Sequence, residues 1–252
     1  MADDLRGMTA LVTGAAKRIG GAISIGLARE GANVVLHYRG SGIEAKRLQG
    51  EIAALGVRSW LIEADFEKPK EYGTLIERAI ETAGGLDLLV NNASLFPVDT
   101  LATVTFDGLT RIMQVNAWVP FVLGRDFVRL VGHGKIVNLL DSRTNDFDWT
   151  HVAYILSKHV LQVLTRASAL QFAPNITVNA VAPGLILPPP DKDESYIERL
   201  VHTVPLKRRG SPDDIAEAVI YLLKSDFLTG QVISVDGGRH LKEYNGGPHP
   251  NR

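Results

Sequence analysis

The chain contains no cysteine, which excludes both disulfides and thiolate metal sites. It also lacks an excess of charge of either sign. A formal net charge of −1 provides no global attraction for nucleic acid or for an anionic membrane surface. No uninterrupted apolar run reaches the roughly 18 residues of a membrane span. The longest candidate, around Ala180 to Pro190, is broken by Pro183, Gly184 and Pro188. The residues from Met1 to Leu5 are acidic and lack the apolar core of a secretory signal, so a cytoplasmic, soluble protein is expected. In that setting the Asn-x-Ser/Thr triplets at Asn92 and Asn175 carry no expectation of glycosylation. The histidines show no metal-ligand spacing. His151 and His159 stand about two helical turns apart without carboxylates to complete a site, so surface or structural roles are expected. Asp146 and Asp148 read as loop acids, and no metal is expected.

What is present is enough apolar material for one large core: 252 residues, 45% of them hydrophobic. Short β-rich runs alternate with longer helical patterns. The runs are Thr9–Thr13, Asn33–Tyr38, Ser59–Ala64, Leu86–Asn91, Lys135–Leu140, Ile176–Ala182 and Gln231–Val235. Most have no polar alternation, which suits strands buried on both faces of a parallel sheet. Between them lie amphipathic stretches such as Ile23–Glu30, Glu44–Leu55 and Leu75–Thr82. Such alternation implies right-handed crossovers and a doubly wound α/β sheet of about seven strands, with helices on both faces. Ser211-Pro212-Asp213-Asp214 can cap and open a late helix. Neither a repeat nor a Ser/Gly-rich linker interrupts the chain, so residues 1–252 are read as a single domain. Pro188 to Tyr196 cannot be regular throughout, and the tail after Lys242 reads as loose.

The first strand leads into Gly14-Ala15-Ala16-Lys17-Arg18-Ile19-Gly20-Gly21 and then a helix. A small-residue turn at that place lets backbone N–H groups approach a pyrophosphate, with the positive helix end behind them, as in Rossmann-type domains. A tight turn without a ligand is the alternative. The second strand ends in His37-Tyr38-Arg39-Gly40-Ser41. An acid there would bind ribose hydroxyls; instead Arg39 offers charge-assisted bonds to a 2′-phosphate, with Lys17 and Arg18 nearby, so NADP(H) is the expected cofactor. The alternative is that Arg39 is a solvated surface residue. Asp141 falls at the carboxyl end of the fifth run, where ligands of open α/β sheets bind. Tyr154 and Lys158, on the helical stretch Ala153–Leu170, share one face. A phenol titrates near pH 10, and an ammonium about 4 Å away contributes about 4 kcal/mol at an effective dielectric near 20, up to about three pKa units in favour of tyrosinate before desolvation. Such a pair suits proton donation in hydride chemistry; on its own it also fits a solvated helix face.

Taken in order, Thr13-Gly14…Gly20, Asn91-Asn92-Ala93, Asn116, Tyr154-x3-Lys158, Pro183-Gly184 and Asp236-Gly237-Gly238 resemble the short-chain dehydrogenase/reductase family from about Gly7 to His240. The resemblance implies a single-domain Rossmann fold in which Tyr154 exchanges the proton, Lys158 holds the nicotinamide ribose, and Asn116 supports a proton relay through water. It implies cofactor contacts at Gly14, Lys17, Arg18, Ile19, Gly20, Tyr38, Arg39, Ser41, Asp65, Phe66, Asn92, Ala93, Ser94, Tyr154, Lys158, Pro183, Gly184 and Leu185.

Two positions depart from the general family pattern. Arg18 replaces the middle glycine of the turn, and Asp141, thirteen residues before Tyr154, replaces the catalytic serine. Ser142 is one residue off and should face the other way unless a bulge intervenes. Both departures, with Asn91-Asn92-Ala93-Ser94-Leu95-Phe96 and the basic end of the second strand, resemble the pteridine reductase branch, including dihydromonapterin reductases. That resemblance implies a pterin sandwiched between Phe96 and the nicotinamide, with Ser94 and Arg18 on its polar edge. Packing in a core or loop is the alternative for Phe96. A carboxylate at Asp141 would oppose ionisation of Tyr154 and share a proton with it, donating to a ring nitrogen directly or through Tyr154. The leading expectation is therefore NADPH-dependent reduction of a dihydropterin to a tetrahydropterin. The alternatives are a carbonyl or alcohol oxidoreductase acting on a sugar, steroid or acyl substrate, and a non-catalytic NADP(H)-binding sensor. The resemblance also implies a homotetramer through Thr105–Val131 and Val152–Phe172, and a substrate-covering loop over Pro188–Arg199.

Overall fold

The runs without polar alternation become seven strands of one parallel sheet because each has a helix layer on either side. The structure, a computed structural model, describes residues 5–145, 149–189 and 192–241. Asp146, Asp148, Pro190 and the tail beyond Leu241, for which the sequence carried expectations, lie outside the described residues. The strands are β1 (Thr9–Val12), β2 (Asn33–Tyr38), β3 (Ser59–Glu63), β4 (Leu88–Asn91), β5 (Gly134–Leu139), β6 (Ile176–Pro183) and β7 (Val232–Val235), in spatial order β3-β2-β1-β4-β5-β6-β7. The order reverses between β1 and β4, and a crevice opens there at the carboxyl ends.

The helices are α1 (Arg18–Arg29), α2 (Gly42–Ala53), α3 (Pro69–Tyr72), α4 (Leu75–Ala83), α5 (Phe106–Met113), α6 (Val119–Val131), α7 (Val152–Phe172), α8 (Glu194–Val201) and α9 (Pro212–Lys224). Successive strand residues separate the two layers. Ala10, Val12, Val34 and Leu36 pack with Ile23 and Leu27 of α1 and Val219 and Leu222 of α9. Leu11, Val35 and Leu89 pack on the other face with Leu75 and Ile76 of α4 and Leu123 and Phe127 of α6. Each buried valine, leucine, isoleucine or phenylalanine among them contributes roughly 1.5–3 kcal/mol. Ser211 caps α9 as expected, reciprocally with Asp214.

One sequence expectation needs correcting, that of a loop over Pro188–Arg199. Within Thr105–Val131 a π-helical segment, Gln114–Trp118, joins α5 to α6. Pro120 has no N–H to offer the carbonyl four residues back, and the ladder widens there. Pro188–Arg199 is not loop throughout. Asp193 accepts from the Ser195 backbone N–H and starts α8, whose Ile197 is buried with Leu185 and Val204.

Candidate functional site

A cavity of about 660 Å³ lies at the crevice, within the range of roughly 300–1,000 Å³ usual for small-molecule sites. Its first wall is the β1–α1 turn. Gly14 has φ +61°, open to glycine without penalty. Gly20 packs so closely that a Cβ would collide with the Gly14 carbonyl oxygen and the Asn92 amide. Thr13 Oγ1 accepts from the backbone N–H groups of Asn92 and Ala93, and Asn92 Nδ2 donates back to the Thr13 and Gly14 carbonyls. Buried His37 completes the clamp: Nδ1 accepts from the Gly14 N–H at 3.1 Å, and Nε2 donates to the Ala64 carbonyl at 3.0 Å. Its ring stacks on Phe66. Burial pushes the imidazole down to about 4, with the Ala64 bond opposing and Arg78 assisting. Lys17 provides no side-chain cap to α1, so the first-turn amides, with Lys17, Arg18, Ile19 and Gly20, line the cavity. Arg18 stands at φ +59°, and its guanidinium donates to the Pro188 carbonyl at 2.6 Å.

At the end of β2, Arg39 and Ser41 line the cavity, as do Asp65 and Phe66 beyond β3. Tyr38 does not; its ring lies against Gly42 at the start of α2. The sequence of β2 brings no acid to Arg39, but the fold does. Glu67 accepts from Arg39 at 2.9 Å and is gripped by Arg111 of α5 through two bonds of 2.7 and 2.8 Å. Those Arg111 bonds are the main reason its carboxyl is held below the ordinary range. Asp65 also lies 3.9 Å from Arg39, so two guanidinium groups face two carboxylates and the cluster is balanced in charge.

The third wall brings Asp141, Tyr154 and Lys158 together. The Tyr154 hydroxyl donates to Asp141 Oδ2 at 2.9 Å. Lys158 is buried, donates to the Leu139 carbonyl at 2.8 Å, and lies 5.6 Å from the centre of the Tyr154 ring. Burial lowers its amine to about 8, with Asp141 opposing. Asp141 does not behave as the proton-sharing group that the sequence suggested. Burial works against its charge, but Arg143 donates Nε to Oδ1, Nη2 to Oδ2 and its backbone N–H to Oδ1, and holds the carboxyl below the ordinary range. An ionised carboxylate only accepts, so the phenol is the donor. Ser142 is buried in a 3₁₀ turn (Ser142–Asn145) and does not line the cavity.

Phe96 lines the cavity edge-on to Tyr154, with centroids 4.6 Å apart. His151 stacks on it at 4.0 Å, and the Arg143 guanidinium lies 5.5 Å from its centre. His151 thus has a packing role, and one face of the expected aromatic platform is already covered. Ala93, Ser94, Pro183, Gly184 and Leu185 also line the cavity. Asn116 sits in the π segment and does not. Its Oδ1 accepts from the Leu95 N–H, and its Nδ2 donates to the Leu95 carbonyl and Ser157 Oγ. Arg143, His37, Glu67, Arg111 and Arg239 were not singled out from the sequence as site residues. No local signal marks them except the spacing of Asp141 and Arg143, close enough for a side chain to fold back. No cluster of metal-ligating groups occurs among the described residues, and no described helix is long and apolar enough to cross a membrane.

Comparison with known proteins agrees with this geometry. A family model described as enoyl-(acyl carrier protein) reductase matches residues 14–240. The chain is 33% identical to versicolorin reductase 1 of Dothistroma septosporum, over 93% of this chain and 96% of that protein. It is 32% identical to the 3-oxoacyl-[acyl-carrier-protein] reductase FabG of Staphylococcus epidermidis, over 92% and 99%. The crystal structure of FolM alternative dihydrofolate reductase 1 from Brucella canis, complexed with NADP, superposes with a TM-score of 0.91 at 33% identity, covering 98% of both chains. The chain belongs to the short-chain dehydrogenase/reductase family and is an oxidoreductase.

Proposed function

We propose that this oxidoreductase reduces the C=N bond of a dihydropterin with NADPH, Tyr154 delivering the proton. The observation that carries this reading is the Tyr154 hydroxyl bonded to an ionised Asp141 in a cavity that also holds buried Lys158 and aromatic Phe96. The residues present fit the cofactor. The uncapped start of α1 suits a pyrophosphate, and the half-exposed Arg39 guanidinium, on the cavity wall with Ser41, can turn from its carboxylates to a 2′-phosphate. When bound, the reduced nicotinamide supplies the hydride that adds to the carbon of the C=N bond.

The protein's own groups do the rest. Tyr154 gives its hydroxyl proton to the ring nitrogen, which receives the electron pair of the broken π bond. The Lys158 ammonium, the majority form below about pH 8, lies beside the ring and stabilises the phenolate left behind. Asp141 orients the phenol, its two oxygens each taking two hydrogen bonds from Arg143 and Tyr154; Arg143 keeps it ionised and so without a proton of its own. Ser94 and Arg18, both on the cavity wall, can donate to the same edge, and Phe96 offers its remaining surface to a flat ring. Asn116 holds the Leu95 backbone beside Phe96 and so positions this wall. The neighbour named as an alternative dihydrofolate reductase supports a pterin-type ring. A homotetramer belongs to the same reading, supported by exposed Leu156, Val163 and Leu170 on α7 and Trp118 between α5 and α6.

A second reading, carbonyl reduction, is favoured by the versicolorin and 3-oxoacyl reductases among the relatives. One assay separates the two: NADPH oxidation by the purified protein with dihydropterins and with simple ketones. Turnover of the pterins is expected, with Tyr154→Phe lowering kcat roughly a hundredfold to ten-thousandfold while NADPH still binds. Turnover of ketones alone would overturn the pterin assignment.

A further inference from the structure

The charged groups around the cavity are almost all neutralised or occupied. Asp141 is paired with Arg143, Arg39 with Glu67, and Lys17 lies 3.9 Å from Glu44. Lys158 and Arg18 each donate to a backbone carbonyl. Arg239 differs. It lines the cavity and is only partly exposed, and its guanidinium has neither a carboxylate nor a hydrogen-bond acceptor among the described residues.

Its placement is built rather than incidental. Buried Asp236 accepts from the backbone N–H groups of Gly238 and His240 and from His240 Nδ1, and the Arg239 N–H donates to the Asp236 carbonyl. Gly237, at φ +64°, lies so close to Val204 that a Cβ would come within 2.6 Å of its Cγ1. The resulting 3₁₀ turn (Arg239–Leu241) rests against the one that follows Asp141, so Arg239 enters at the Asp141 end of the cavity, away from the Arg39 cluster. A partly exposed guanidinium on a cavity wall, with no anion beside it among the described residues, is free to pair with one, and its planar fork matches a carboxylate in two bonds.

We infer that the substrate carries an anionic oxygen group, a carboxylate in the first instance, and that Arg239 is the specificity-determining residue that receives it. The inference rests on the proposed reductase activity for the identity of the ring, and on Arg239 alone for the tail. Dihydrofolate, whose tail ends in carboxylates, is compared with dihydrobiopterin, whose tail is neutral, in the wild type and in Arg239→Gln and Arg239→Lys. Arg239→Gln is expected to lower kcat/KM for dihydrofolate about tenfold or more through KM, with Arg239→Lys recovering part of the loss. Dihydrobiopterin turnover and the NADPH dissociation constant should stay unchanged. Equal losses on both pterins would reveal a merely structural role, weakened NADPH binding would assign Arg239 to a cofactor phosphate, and no change at all would leave it without a partner; each overturns the inference. Calorimetry with p-aminobenzoylglutamate, the tail without the ring, on the NADPH-loaded protein keeps the test independent of the ring. If neither pterin turns over, binding of this probe that Arg239→Gln weakens about tenfold still supports the anion site, and absence of binding refutes it.

Discussion

His37 has both ring nitrogens committed, one to the Gly14 N–H and one to the Ala64 carbonyl, and it must stay neutral to accept the first. Its folded value of about 4 lies below the ordinary 6.5. Between those limits the unfolded chain binds a proton that the folded chain does not. The associated stability is therefore complete above pH 6.5 and is lost as pH falls through about 4. The loss should approach about 3 kcal/mol. Urea denaturation across that window should show the decline in the wild type. His37→Gln should be less stable at neutral pH but have a flatter acid limb; parallel limbs would contradict the assignment. At this scale the sequence displayed Tyr154, Lys158 and Asp141 through their spacing, because a helix and a strand end have fixed periods. It did not display His37 or Arg143 as site residues, because their roles depend on which backbone comes to face them.

The β1–α1 element carries a departure that the structure explains. Arg18 occupies the position where the general family pattern has glycine, and its φ of +59° lies in the left-handed region. A residue with a Cβ is disfavoured there by roughly 1–2 kcal/mol. Strain kept in this way at a cavity wall points to use of the side chain. Arg18→Gly should leave thermal stability unchanged or raise it by up to about 1 kcal/mol, although the bond to Pro188 is lost, and should weaken NADPH binding. Calorimetric unfolding together with fluorescence titration of NADPH tests both halves; a variant that binds NADPH as tightly as the wild type would show the arginine to be dispensable. The π segment teaches the complementary lesson. The sequence marks Thr105–Val131 only as an interface stretch, and the missing N–H of Pro120 is the local feature that accompanies the widened turn carrying Asn116.

For the whole molecule, a ligand that bridges the β1–α1 turn, the β2 end and α7 binds the folded chain and not the unfolded one. NADPH at a hundred times its dissociation constant should add about 2.7 kcal/mol of stability. Thermal shift should show NADPH raising the midpoint at concentrations where NADH does not, because the Arg39 cluster answers only the 2′-phosphate. Equal shifts by both nucleotides would reassign that cluster to structure.

The alternation of strands and helices, the glycine turn and the Tyr154–Lys158 pair were determined by the sequence alone, since each rests on local periodicity or on a residue's own stereochemistry. Only the tertiary structure decided that Glu67 reaches Arg39 across 28 residues and Arg111 across 44, that Arg143 holds Asp141 ionised, and that Arg239 enters the cavity. The long-range contacts follow from the order in which strands assemble and the Arg143 bond from how tightly the chain turns after β5, and neither is set by any short stretch of residues taken alone.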